Sequence, residues 1–120
     1  MARMKTATLA QLAALVLRYR KNRDWEQFHT PKDMAIGLAL EAAELLELVH
    51  WKNGAALKRH LRARREHLAD ELADILGWLL LMAHDFGIDL AKAFRAKMKK
   101  NQAKYPIHKA RGTSAKYTEL

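Results

Sequence analysis

Leu38-Ala39-Leu40-Glu41-Ala42-Ala43-Glu44-Leu45-Leu46-Glu47-Leu48-Val49-His50-Trp51 is strongly apolar, yet it holds Glu41 and Glu44 three residues apart. On an α-helix that spacing sets both carboxylates side by side on one face. Glu71 and Asp74 repeat it inside a second apolar run, from Leu68 to Phe86. Like charges one turn apart repel by a few tenths of a kcal/mol on an exposed helix, and by more when partly buried. Two such pairs in core-forming sequence ask for a compensating cation. The expectation is a divalent metal held between two helices by Glu41, Glu44, Glu71 and Asp74.

Indoles share these stripes. Glu41, Glu44, Leu48 and Trp51 follow a 3, 4, 3 spacing, and Glu71 and Asp74 are followed one turn on by Trp78. Hard oxygen ligands select Mg²⁺, with Mn²⁺ as a substitute, rather than zinc. Mg²⁺ keeps waters and takes phosphate oxygens, so aromatic rings beside it suggest a nucleotide, phosphates on the metal and base on the rings. Taken singly, Glu-x-x-Glu marks an exposed helix face more often than a site. Two pairs in apolar helices shift that balance. Glu47 and Asp70 fall off the stripes and are read as solvent-facing.

Working outward, Thr8 and Gln11 have the form of a capping box for a first helix running to about Asn22. Leu9, Leu12, Val16 and Tyr19 give it one apolar stripe. Residues 23–30 break the periodicity and carry Trp25, Phe28 and His29, with Phe28 expected to plug the bundle end. Thr30-Pro31 restarts a helix, with Pro at the first position and Asp33 favourable to the dipole. That helix is expected to run to about Lys52 and stop at Asn53-Gly54. A short segment over 55–62 should precede a main helix from about Arg64. In it Leu68, Leu72, Ile75, Leu79, Met82 and Phe86 form a heptad-type seam for neighbouring helices. Gly87 ends it. Asp89 can cap a last helix from Leu90 to about Lys104, which Tyr105-Pro106 stops.

The fold class read from this is all-α, a four- to five-helix antiparallel bundle. A single helical domain is expected over 1–106, with a basic, flexible tail over 107–120. The absence of cysteine excludes disulfides and thiolate zinc sites and fits a reducing, cytoplasmic setting. No signal peptide is visible, and the longest fully apolar run, Trp78 to Ala83, is far too short to span a bilayer. The net charge of +9 fits either nucleic acid or an anionic small substrate. Lys58, Arg59, Arg62, Arg64 and Arg65 form one basic cluster; a second runs from Arg95 to Lys116. Either could equally be a solvated helix face.

The ordered set Glu41, Glu44, Glu71 and Asp74 resembles the MazG-like all-α nucleoside triphosphate pyrophosphohydrolases. The dCTP pyrophosphatase branch is the nearest, through Trp25-Glu26-Gln27-Phe28-His29, Pro31, His50-Trp51, Gly87-Ile88-Asp89-Leu90 and Lys97-Met98 with Asn101, Lys104, Tyr105 and Pro106. The resemblance covers about residues 23–106. It implies Mg²⁺-dependent cleavage of a (deoxy)nucleoside triphosphate, dCTP or a related pyrimidine, to monophosphate and pyrophosphate, as in nucleotide-pool cleansing. The four carboxylates would hold metal, and Glu41 or Glu44 would act as catalytic base, the sequence not choosing between them. Trp25, His29, Trp51 and Trp78 would form the base pocket; Lys97, Asn101 and Tyr105 would contact substrate. His60, His67, His84 and His108 match nothing in the pattern and, like the His50 side chain, are read as surface or packing residues. Two departures stand out: Ala42-Ala43 where the family often has Val-Gly, and Trp78 where the branch commonly has tyrosine. The resemblance also implies a homo-oligomer, a dimer or dimer of dimers, with no membrane partner and nucleic acid not expected. The competing reading is a basic helical nucleic-acid-binding module without catalysis. It would bind without Mg²⁺ and weaken steeply with salt.

Overall fold

The computed structural model describes residues 6–120, and every described element is helical. The chain divides into two compact units, residues 1–87 and 88–120.

The first unit holds α1 (Leu9–Asn22), α2 (Pro31–Val49), α3 (Gly54–Ala63) and α4 (Arg65–Asp85). The capping box at Thr8 is formed: its side chain accepts from Gln11 N at 3.1 Å, and Gln11 Oε1 accepts from Thr8 N at 2.9 Å. Thr30 caps α2 in the same way, accepting from Asp33 N at 3.1 Å. The polypeptide therefore enters both helices where their sequences say it should. α2 packs chiefly on α4, and α1 packs on α4 as well. The buried apolar residues are few: Met34, Leu48, Leu80 and Leu81.

Three expectations are corrected here. α2 ends at Val49, not near Lys52, because Trp51 adopts a left-handed φ of 68° with its ring stacked on His50 at 4.2 Å. The expected seam along α4 is only partly covered: Leu72, Leu79 and Phe86 are exposed while Leu80 and Leu81 are buried. α1 and α2 approach α4 on a face rotated from that seam, so the spacing alone did not identify the covered side. Phe28 is exposed and plugs nothing within this chain. The break between α3 and α4 does fall at Arg64, whose ψ of 30° departs from helix.

The second unit holds α5 (Leu90–Lys104) and α6 (Ile107–Ala110), followed by a 3₁₀ turn, Tyr117–Glu119. Asp89 caps α5, accepting from Lys92 N at 3.1 Å. Tyr105 meets Tyr117 edge-on at 5.8 Å, and Lys104 Nζ lies 4.9 Å from the Tyr117 ring centre. The segment from 107 onward thus carries local helical structure and a cation–π contact.

Candidate metal centre and nucleoside pocket

The packing of α2 on α4 brings the two acidic pairs together. One carboxylate oxygen from each of Glu41, Glu44 and Glu71 lies within 4.8 Å of the other two. Asp74 stands outside that triad and is exposed, yet its charge still acts on Glu41. Glu71 is 6% exposed, and the Oε2 atoms of both Glu41 and Glu71 are buried with no hydrogen-bond partner. A buried, unpaired carboxylate oxygen is costly, and two in one acidic cluster are costlier.

The electrostatics record that cost. Burial, then the charges of Glu44 and Asp74, push the Glu41 carboxyl up to about 7. Burial and Glu44 raise Glu71 as well, and His67, whose Nε2 lies 3.2 Å from Glu71 Oε1, works against them. A hard divalent cation fits this donor set: it would occupy the oxygens that nothing in the protein satisfies and remove the repulsion.

Beside the carboxylates opens a pocket of about 580 Å³, enclosed by α1, α4 and the 23–30 segment. Leu12, Leu15, Val16, Leu76, Leu80 and Leu81 give it apolar walls; Tyr19, Trp25 and Trp78 give it rings; Glu41 and Asp74 stand at its edge. Such a cavity, apolar with a few convergent polar groups, is the usual form of a small-molecule site. Trp78 is seated by a close approach to α2: a Cβ on Gly37 would lie 2.6 Å from Trp78 Cε2 and Cζ2. His29 meets Trp78 edge-on at 5.2 Å. Burial, then the charge of Arg20, lowers the His29 pKa, so its imidazole is neutral near pH 7.

Of the residues expected at the site, Glu41, Asp74, Trp25, His29 and Trp78 converge on this pocket, and Glu44 and Glu71 complete the acidic cluster. Trp51 does not line the pocket; it is 86% exposed. Lys97, Asn101 and Tyr105 lie on or just after α5, in the second unit. Two residues were not anticipated. Arg20 is 5% exposed, lines the pocket, and forms a bidentate pair with Asp85 at 2.8 and 2.9 Å. It is separated from Asp85 by most of the unit, so no local spacing announced it. His67 stands four residues before Glu71, a helical neighbour whose spacing was readable although the residue is taken above as a surface or packing one.

Residues 36–120 match the MazG-like family. The chain is 39% identical to human dCTP pyrophosphatase 1 over 115 residues, covering 94% of this chain and 68% of that protein. It is 37% identical to the dCTP pyrophosphatase 1 of Rattus norvegicus over the same shares of both chains. The crystal structure of a pyrophosphatase from Archaeoglobus fulgidus superposes with a TM-score of 0.78 at 31% identity, covering 88% of this chain and 99% of that one. The helical fold and these relatives define a nucleoside triphosphate pyrophosphohydrolase whose acidic cluster could hold a divalent metal, and the chain belongs to the MazG-like family.

Proposed function

We propose that this chain hydrolyses a pyrimidine deoxynucleoside triphosphate, dCTP foremost, to its monophosphate and pyrophosphate, with Mg²⁺ at Glu41, Glu44, Glu71 and Asp74. That it is a nucleoside triphosphate pyrophosphohydrolase acting in nucleotide-pool cleansing follows from its relatives. The observation that carries the metal reading is the pair of orphaned, buried Oε2 atoms on Glu41 and Glu71. When bound, the metal supplies charge neutralisation of the triphosphate and a lowered pKa for water.

The chain's own residues do the rest. Trp25 and Trp78 offer ring faces to a base, and the apolar walls exclude water from the nucleoside side. Neutral His29, with its Nδ1 buried and unpartnered, can hydrogen-bond a polar edge of the base. Glu41, its carboxyl pushed up to about 7, is well matched to accept a proton from water near neutral pH. Lys97 and Asn101 are assigned to the phosphates and base with Tyr105 closing the same wall, and Trp51 to the base, in an assembled oligomer. The oligomer, a dimer or dimer of dimers, would cover the apolar side chains left exposed on the first unit.

The test is release of pyrophosphate from a panel of dNTPs and NTPs, with and without Mg²⁺. Mg²⁺-dependent release, fastest with dCTP, supports the reading. Binding of single-stranded DNA without turnover of any nucleotide would replace it with the nucleic-acid-binding one.

A further inference from the structure

The carboxylates of the acidic cluster stand between two cavities of opposite character. Glu41 and Asp74 border the apolar pocket. Glu44 and Glu71 border a second cavity of about 350 Å³, whose wall also includes Lys52, His60, Arg64 and His67. This second cavity is built from the C-terminal end of α2, from α3, and from the start of α4, all within residues 1–87. Neither Lys52 nor Arg64 has an ion pair among the described residues. Among the described residues the only Lys or Arg in the apolar pocket is Arg20, and Asp85 already holds both of its terminal nitrogens.

A nucleoside triphosphate has the same division, an uncharged nucleoside at one end and a polyanion at the other. We propose that the second cavity receives the pyrophosphate half of the substrate, with Lys52, His60 and Arg64 contacting its phosphates while the nucleoside occupies the apolar pocket. The inference rests on the pyrophosphohydrolase reading and extends it. It explains why the carboxylates sit where they do: the bond to be cut, between the α- and β-phosphates, then lies at the junction of the two cavities.

Charge sets a condition on this binding. Lys52 and Arg64 face three carboxylates of the same cavity, Glu44, Glu47 and Glu71. The cavity alone therefore repels an anion. A dication at Glu44 and Glu71 reverses the sign, so pyrophosphate and Mg²⁺ enter together.

The test is calorimetric titration of sodium pyrophosphate, and separately of dCMP, into the full chain with and without Mg²⁺. The wild type is expected to bind pyrophosphate only with Mg²⁺. Lys52→Ala combined with Arg64→Ala should weaken Mg²⁺-pyrophosphate by about tenfold or more, the scale of a lost charged contact. It should leave dCMP within about twofold. Arg64→Gln, which keeps most of the side-chain stem, should shift pyrophosphate affinity in the same direction by less. Lys58→Ala combined with Arg59→Ala removes the same charge from α3 outside the cavity and should leave pyrophosphate binding unchanged. Pyrophosphate binding that survives the Lys52 and Arg64 changes, or that both double variants weaken equally, overturns the proposal. A wild type that binds neither dCMP nor pyrophosphate with Mg²⁺ also overturns the proposal, whereas failure to release pyrophosphate from any dNTP overturns the pyrophosphohydrolase reading itself.

Discussion

Glu41 and Glu71 each bury an oxygen that nothing among the described residues satisfies, and that fact has a measurable pH signature. A carboxyl whose folded-state pKa is raised stabilises the fold below its ordinary value, near 4.5, and loses that contribution as pH rises through the folded value, about 7 for Glu41. The metal-free protein should therefore lose melting temperature between about pH 4.5 and 7. Glu41→Gln should flatten that slope, and so should saturating Mg²⁺. A melting temperature that climbs steadily over this range in the metal-free wild type would contradict the buried cluster. Removing a ligand should separate fold from activity: Glu44→Ala, Glu71→Ala or Asp74→Ala should abolish Mg²⁺-dependent turnover while circular dichroism stays helical. Near wild-type turnover in all three would remove these carboxylates from the site. Trp78 tests the nucleoside pocket. Tyrosine there would supply a hydroxyl that can accept or donate, where indole only donates. Trp78→Tyr is expected to change the ratio of kcat/KM between dCTP and dTTP by about 1–2 kcal/mol. An unchanged ratio with lowered stability would assign the ring to packing alone. At this scale the acids were legible because a three-residue spacing on a helix has one geometric meaning. The exposure of Trp51 was not, because it follows from a left-handed backbone at one residue just past the end of α2.

The starts of the helices were legible for the same reason that they are stable. Thr8, Thr30 and Asp89 each satisfy a backbone donor that the first turn leaves free, and all three were readable as caps. Which face of α4 is covered was less legible. A spacing of three and four fits more than one side of an apolar helix, and α4 is apolar over much of its circumference. The tie between α1 and α4 through Arg20 and Asp85 is a tertiary fact with no local signature. Arg20 holds the Asp85 carboxyl down to about 2, so the pair contributes stability above the ordinary aspartate value, near 3.8, and loses it as pH falls toward 2. Asp85→Ala would leave a buried guanidinium unpaired and should cost about 3 kcal/mol in urea unfolding. Arg20→Leu combined with Asp85→Leu should cost clearly less than Asp85→Ala alone, since it leaves no orphaned charge. An Asp85→Ala variant as stable as the wild type would show that α1 does not depend on this pair.

For the whole molecule, the apolar side chains left in water point to assembly. Leu15, Ile36, Leu40, Leu46 and Leu72 are all more than 45% exposed on the first unit, against four buried apolar residues. A monomer rarely keeps so much apolar surface open. Light scattering on the purified chain should give a multiple of the 13.8 kDa chain mass. Leu46→Lys should reduce that multiple or the melting temperature; a stable monomer in both proteins would contradict the oligomer. Among the described residues no helix is long and apolar enough to cross a membrane. The class of chemistry was readable from the acids and rings together, because few ligands need a hard metal and an aromatic wall at once. The division of the carboxylates between an apolar and a charged, polar cavity was not, since it depends on how α3 folds back against α2 and α4. One measurement bears on the central claim most directly: phosphorus NMR of dCTP incubated with the protein and Mg²⁺. The account predicts that dCMP and pyrophosphate resonances grow together, and that chelating the metal or the Glu71→Ala change stops both. Formation of dCDP with inorganic phosphate, or hydrolysis that persists without divalent metal, would contradict it.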